Sequence, residues 1–244
     1  MLTLFFVSSG KPFIKGRPFV VSAFLLDEQD AFRISDRIKE IKLLTRWRNS
    51  YARITGHDVI HGKGAFLFMP LEERKEILHK LLSIIKKLEV TIAFSTISSE
   101  HPILPIDAEK IALREAIIRA CFAIKRAKAH EVRVLLDKSQ WLHENVWDNG
   151  IRHWIDDAIG EFVSSQGLLT LDPTHTDFTT VDDFGFLELA NTITYVYRLS
   201  LYGLNIKEKF GRLDFPVKLY NNYIQDKIYS GSEYDDPSAG VFRL

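Results

Sequence analysis

A carboxylate at the predicted end of a strand is the first candidate for chemistry. Asp137 directly follows the apolar run 132–136, a pattern that predicts a buried strand. In α/β proteins the carboxyl ends of strands open into the crevice where sites form. Carboxylate oxygens are also the ligands that Mg²⁺ and Mn²⁺ prefer. A turn residue or a helix cap is the alternative interpretation of Asp137, and the sequence leaves both open.

Three further acidic residues lie before or near the start of a late predicted helix, over 184–202. Asp182 and Asp183 precede this helix, and capping accounts for at least one of them. Glu188 lies one turn inside the helix and three residues before Asn191, so the two share a helix face. Glu188 points either into a site or into water. Together with Asp137, Asp183 and Glu188 are the candidate catalytic residues of a rearranged carboxylate site.

A pair of histidines has the spacing of a zinc site but not its setting. His57 and His61 are four residues apart, which on a helix suits zinc. Gly56, Gly62 and Gly64 surround them and predict a loop instead. No cysteine lies nearby, so we expect solvated or structural histidines.

A locally basic stretch is the candidate nucleic-acid interface. Lys125, Arg126, Lys128 and Arg133 lie close together around the end of a predicted helix, and phosphate contact would use such cations. Cations are also enriched at helix C-termini for electrostatic reasons alone. The whole chain carries 32 Lys and Arg against 32 Asp and Glu, so its net charge predicts no bulk attraction to nucleic acid or acidic membrane.

Composition predicts an intracellular globular protein. The chain has 244 residues, 46% of them hydrophobic, which is enough for a sizeable core. The single cysteine, Cys121, lies in an apolar stretch and indicates a reducing compartment. No apolar run is long enough to span a bilayer, so we expect a cytoplasmic location and no membrane partner.

Hydrophobic periodicity predicts an α/β fold. Predicted strands cover 2–7, 19–26, 90–96, 132–136 and 168–171. Predicted helices cover 30–47, 72–87, 107–129, 147–162, 184–202 and 216–229. The opening pair of strands indicates a hairpin, and the later alternation indicates parallel strands with crossover helices. We therefore predict a mixed five-stranded sheet flanked by helices. It forms one domain over 1–229, with a helical insertion about 28–88 and a polar tail over 230–244.

These parts together resemble domain-of-unknown-function family 3800, bacterial proteins regarded as RNase H-like. The resemblance covers about residues 2–200. It lies in a strand ending Ser9-Gly10, a loop with His61-Gly62, a strand ending in Asp137 and a late helix reading 188–191 as Glu-Leu-Ala-Asn. It implies an RNase H-like core whose acidic residues hold divalent metal for nuclease chemistry.

The departures from the family pattern fall on its acidic positions. Val7 and Ser8 stand where the family has Asp and Glu, Val59 stands where it has Glu, and Asn191 stands where it has Asp. Only Asp137 matches an expected carboxylate. A two-metal nuclease needs several convergent carboxylates, and valine offers no ligand atom.

The sequence therefore predicts a catalytically degenerate RNase H-like protein, not an enzyme, which needs no cofactor. Its expected role is that of a binding or assembly subunit with a protein partner or nucleic acid, in bacterial defence by analogy alone. The alternative is an active nuclease or phosphotransfer enzyme that uses Mg²⁺ or Mn²⁺ on Asp137, Glu188 and Asp183. A third interpretation is an interaction module without nucleic acid, which predicts that the basic stretch is scattered or paired with acids.

Overall fold

The computed structural model describes residues 1–11, 18–44, 53–97, 105–129, 131–137, 150–165, 176–180, 184–202, 215–230 and 241–243. The chain divides into two compact units. The first, here the sheet unit, comprises Met1–Glu28, Val90–Thr180 and Ile228–Leu244. The second, here the helical unit, comprises Gln29–Glu89 and Val181–Lys227.

The sheet unit contains one mixed sheet. Among the described residues its strands are β1 (Leu2–Ser9), β2 (Phe19–Asp27), β3 (Val90–Ile97), β4 (Val132–Asp137), β5 (Thr176–Thr179) and β6 (Val241–Arg243). The strand order is β5-β4-β1-β2-β3-β6. Strand β2 pairs antiparallel with β1 and β3. The β1–β4, β4–β5 and β3–β6 pairs are parallel.

Two helices supply the crossovers that parallel strands require. They are α4 (Pro105–Ala127), which joins β3 to β4, and α5 (Ile151–Ser165), which joins β4 to β5. Because β3, β4 and β5 all run parallel to β1, both helices return the chain in the same direction. They pack on one face of the sheet around a common core, which includes Leu4, Phe6, Ala23, Ile117, Leu136 and Ile155.

The predicted α/β fold, a mixed sheet flanked by helices, is confirmed. The first four strands lie where the apolar runs predicted them. Continuous rather than alternating hydrophobicity suits β1 and β2, because the residues of both strands are buried on both faces.

The edges of the sheet differ from the prediction. The predicted strand at 168–171 lies outside the described residues, and β5 forms at Thr176–Thr179, where the sequence predicted no strand. An edge strand tolerates polar side chains, and β-branched threonines favour extended backbone. The predicted polar tail also contains β6, which pairs with β3 and adds a sixth strand.

The helical unit is built from helices. Its described helices are α1 (Glu28–Leu44, whose first residue belongs to the sheet unit), α2 (Gly56–His61), α3 (Leu71–Lys86), α6 (Phe186–Tyr202) and α7 (Phe215–Tyr223). Short 3₁₀ turns cover Gly64–Phe66 and Gln225–Lys227. In the described part of the chain, no helix is long and apolar enough to cross a membrane.

Helix α2 corrects the expectation of a loop around the two histidines. The Thr55 hydroxyl caps the helix by accepting a hydrogen bond from the Asp58 amide at 3.1 Å. Gly62 ends the helix at φ 62°, a left-handed conformation that glycine adopts without strain. Gly56 is needed for space, since a Cβ there would lie 3.2 Å from the Thr192 Cα. The glycines delimit this helix instead of preventing it.

Candidate functional site

Asp137 occupies the end of β4, as the sequence predicted, and is 1% exposed. In β5 its register partner is Thr179. On the other side, β4 runs parallel to β1 with Phe6 opposite Leu136, so Val7 and Asp137 are the next positions along the two strands. Val7 in turn pairs with Ser22 of β2. Thr179, Asp137, Val7 and Ser22 therefore form a row across four strands, here the cross-strand row.

The cross-strand row faces away from the core that α4 and α5 share with the sheet. Phe6 and Leu136 belong to that core, and successive strand residues point to opposite faces. Val7 and Ser22 are fully buried. Asp137 is the single carboxylate of the row, flanked on the adjoining strands by a threonine hydroxyl and a valine side chain. Val7 is on the strand next to Asp137, where an acidic residue would give a second carboxylate. Its side chain supplies only methyl groups.

Glu188 lies in the helical unit and is fully buried on α6. The Lys42 Nζ of α1 donates a hydrogen bond to its Oε1 at 2.7 Å, and the Lys42 side chain is 10% exposed. Burial raises the pKa of Glu188, while the hydrogen bond and charge of Lys42, the Ile54 amide and the Arg53 charge act in the opposite direction. Of the two predicted orientations of Glu188, the one into water is wrong.

The Lys42 ammonium supplies a positive charge to this carboxylate at Oε1. A divalent ion on Glu188 would compete with a buried salt bridge whose two ends lie on different helices. Sequence reasoning missed Lys42, although a signal exists. Ile34, Ile38 and Lys42 follow one another at four-residue spacing, which places a lysine on the apolar face of α1. A charge on such a face indicates a buried partner of opposite sign.

Val59 and Asn191, where the family that the sequence resembles has acids, also lie in the helical unit, on the contacting helices α2 and α6. Val59 is fully buried, and Asn191 is partly buried one turn after Glu188. Arg74 of α3 donates hydrogen bonds to the carbonyls of Val59 and Ile60, at 3.0 and 2.8 Å. Val59 is thus a packing residue of a helix whose backbone is tied to α3.

A polar cluster joins α2 to α6. The His61 Nε2 and the Tyr195 hydroxyl are 2.7 Å apart, and the His57 and His61 rings are in tilted contact with centroids 4.7 Å apart. The Asp58 carboxylate lies 3.2 Å from His57 Nδ1. Tyr195 follows Glu188 and Asn191 at helical spacing, a signal that sequence reasoning did not use. An imidazole and a phenol at this distance form a hydrogen bond, and here that bond helps to fix α2 on α6.

The candidate nucleic-acid residues behave in two ways. Lys125 and Arg126 are exposed in the last turn of α4, and Lys128 follows at φ 52° as the exposed residue that ends the helix. Arg133 on β4 instead forms an ion pair with Glu28, with Nη1 and Oε1 3.1 Å apart. Three cations therefore gather at one helix end, while the fourth faces an acid.

The three predicted catalytic carboxylates do not appear together within either unit. Asp137 belongs to the sheet unit and Glu188 to the helical unit. Asp183 lies outside the described residues. Among the residues that the structure describes, no group of three or more His, Cys, Asp or Glu side chains is placed to hold a metal ion. Ser8, where the family that the sequence resembles has Glu, is partly buried near the end of β1.

Comparison with known proteins assigns no family. No protein-family model matches the sequence, and no curated protein matches it. Among solved structures, the chain is similar to a chain of the PCNA:RNase HII complex from Archaeoglobus fulgidus. The identity is 16% over 94% of this chain and 92% of that chain, with a TM-score of 0.39. At this TM-score the similarity carries no weight for the fold or for the function.

Proposed function

We propose that the protein is an RNase H-like scaffold that has lost metal-dependent nuclease chemistry and acts as a binding or assembly subunit. The observation that carries the proposal is the cross-strand row, where Val7 stands beside Asp137 on the neighbouring parallel strand. Two adjoining strand ends are where carboxylates would converge on a divalent ion. With methyl groups at Val7, one carboxylate remains where a two-metal site needs several.

The helical unit supports the same proposal. Glu188, the other described candidate carboxylate, is engaged by Lys42 at 2.7 Å. Val59 and Asn191 offer methyl groups and a neutral amide where the resembled family has acids. Each departure replaces an ionised ligand by a group that packs or forms neutral hydrogen bonds. The replacements conserve a folded core while they remove the charge that would hold the metal.

A cleavage assay tests the loss of chemistry. Purified protein incubated with RNA, DNA and RNA–DNA hybrid in Mg²⁺ or Mn²⁺ is expected to give no cleavage above buffer. The Asp137→Ala variant and the isosteric Asp137→Asn variant should behave in the same way. Cleavage by the native chain that both variants lose would contradict the proposal and favour the active metal-dependent nuclease.

A restoration experiment tests the ancestral geometry. Val7→Asp would place two carboxylates on neighbouring strands, where their repulsion and burial destabilise the fold in EDTA. If the row derives from a metal site, Mn²⁺ at about 100 times its Kd would restore about 2.7 kcal/mol of unfolding free energy. Val21→Asp is the matched control, because Val21 is equally buried on β2 but faces the core of α4 and α5. Equal Mn²⁺ responses of the two variants would count against an RNase H-like origin.

The three exposed cations at the end of α4, Lys125, Arg126 and Lys128, support a subunit that binds nucleic acid without cleaving it. Replacing all three by Ala should weaken binding of duplex DNA in fluorescence anisotropy. It should also reduce the slope of log K against log salt by about 0.9 for each phosphate that the variant no longer neutralises, or up to about 2.7. An unchanged slope would show that these three cations do not contact DNA phosphates. The expected bound species would then be a protein partner, which affinity capture from the native host would identify.

A further inference from the structure

A cluster of imidazole and phenol side chains in the helical unit takes no part in the proposed function. His57 and His61 belong to α2 and Tyr195 to α6, and the three rings contact one another. The sequence argued against a zinc site here because the flanking glycines predicted a loop. Since α2 is a helix, the two histidines instead share one helix face at the four-residue spacing of helical zinc sites.

The separations of the three rings are close to those of ligands around one tetrahedral ion. The His57 and His61 centroids are 4.7 Å apart, and the Tyr195 centroid lies 5.6 and 6.2 Å from them. With Zn–N and Zn–O bonds of about 2.0 Å, tetrahedral geometry places two imidazole centroids about 5 Å apart, and an imidazole and a phenol about 6 Å apart. The 2.7 Å separation of His61 Nε2 and the Tyr195 oxygen would lengthen to about 3.3 Å.

The hydrogen bonding of His57 also suits a metal ligand. The Asp58 carboxylate lies 3.2 Å from His57 Nδ1, so a proton on Nδ1 leaves the lone pair of this ring on Nε2. Histidines that bind metal usually donate their second ring N–H to a carboxylate or carbonyl in this way. The His57 side chain is 45% exposed, which gives an ion a path from solvent, whereas Tyr195 is buried and its phenol is held in place.

Two charges of opposite sign lie around the cluster. The Asp58 carboxylate beside His57 attracts a cation and repels an anion. The Arg198 guanidinium acts in the opposite direction, but it lies against the face of the Tyr195 ring, with its Cζ 5.0 Å from the centroid. The carboxylate is therefore adjacent to a ligand histidine, while the guanidinium packs on a ring.

We propose that His57, His61 and Tyr195 bind one divalent transition-metal ion of the Zn²⁺ class. The ion accepts lone pairs from the two imidazoles and from the phenol oxygen, and the phenol proton is released to solvent. Imidazole nitrogens favour Zn²⁺, Ni²⁺ or Cu²⁺, whereas Mg²⁺ and Mn²⁺ prefer oxygen ligands. The bound ion joins α2 to α6 and keeps a fourth position for water. This site is distinct from Asp137, which belongs to the sheet unit.

Isothermal titration of the full chain with ZnCl₂ tests the site. We expect one strongly bound ion with a Kd on the order of 1 µM, weaker than the four-ligand sites of zinc fingers, and no competition from millimolar Mg²⁺. His57→Asn and His61→Gln keep a side-chain amide for hydrogen bonding but lose a ligand, so each should bind Zn²⁺ about 100-fold more weakly. Tyr195→Phe and Asp58→Asn should each cost about tenfold. At about 100 times the Kd, Zn²⁺ should raise the native Tm by about 5–10 °C.

His79→Asn is the matched control, because His79 Nδ1 lies 3.0 Å from the Tyr223 hydroxyl but Lys75 and Ser83, four positions away, are not histidines. This variant should bind Zn²⁺ as the native chain does, and circular dichroism checks that each variant folds. The proposal is wrong if the native Kd exceeds about 1 mM, or if the control loses as much affinity as the His57 and His61 variants. Zn²⁺ binding that neither of those variants weakens would be adventitious and would also overturn it, and native affinity in Tyr195→Phe would overturn the third ligand. None of these outcomes bears on the cleavage assay.

Discussion

Removal of the ammonium from the buried Lys42–Glu188 pair should make the stability of the protein depend more steeply on pH. In Lys42→Met the Glu188 carboxylate keeps its burial but loses its nearest positive charge, 2.7 Å away. Breaking a buried pair by removing one partner costs about 3–5 kcal/mol. That cost applies to the ionised carboxylate, and protonation of Glu188 reduces it.

The sign of the effect follows from the direction of the pKa shift. Burial already raises the pKa of Glu188 above its ordinary value of 4.5, and Lys42 opposes that rise, so the variant raises the pKa further. A carboxyl group whose pKa is higher in the folded state than in the unfolded state stabilises the fold at pH values below 4.5, its pKa in the unfolded state. This stabilisation is lost as the pH rises through the pKa of the folded state. Each pH unit in that window changes the unfolding free energy by at most about 1.4 kcal/mol.

Urea unfolding of native and variant protein at pH 5, 6, 7 and 8 measures this effect. We expect Lys42→Met to lose about 4 kcal/mol at pH 8 and about 1 kcal/mol at pH 5. The double variant Lys42→Met/Glu188→Leu removes both charges and should be close to native stability, without the slope. Lys39→Met breaks an exposed pair with Asp36 and should cost under about 1 kcal/mol at every pH. A pH-independent loss in Lys42→Met, or a double variant no better than the single one, would refute the reasoning.

Two further predictions concern packing. Burial raises the pKa of the Cys121 thiol to about 12, so its thiolate fraction at pH 8 is on the order of 10⁻⁴. Iodoacetamide should modify it only at the rate of unfolding, and rapid labelling of folded protein, followed by mass spectrometry, would contradict its burial. Gly56→Ala should cost about 1–3 kcal/mol, because the added methyl would lie 3.2 Å from α6. Gly160→Ala, in open space on α5, should stabilise by about 0.5–1 kcal/mol, and equal melting shifts for the two variants would count against this steric explanation.

The centre of the sheet could be predicted from the sequence because burial on both faces leaves a strong local signal. Strands β1, β2, β3 and β4 are runs of apolar and β-branched residues that few other structures accommodate. The edges leave no such signal. Strand β5 is Thr-Asp-Phe-Thr, and its formation depends on β4 offering a free edge, which is information held elsewhere in the chain.

The site was predicted less completely for the same reason. The position of Asp137 at a strand end follows from local sequence, and so does the absence of acids at Val7 and Val59. The pairing of Lys42 with Glu188 joins residues 146 positions apart, and no local pattern specifies it. Helix α2 was missed because glycines at its ends were interpreted as breakers, whereas the Thr55 cap and the close packing on α6 stabilise it.

The place of β1 in the sheet has a consequence for the order in which the protein folds. Its antiparallel partner β2 is the next strand along the chain, whereas Leu2 pairs with Val132 on its other side, 130 positions later. The β1–β2 hairpin can form within microseconds of synthesis. The other edge of β1 has no partner until β4 has been synthesised. During that interval β1 presents an apolar strand with unpaired backbone groups, the kind of surface on which nascent chains aggregate. Binding of chaperones to the nascent chain should therefore be strongest before residue 137 has left the ribosome. It should fall once β4 pairs with β1 and Asp137 becomes buried.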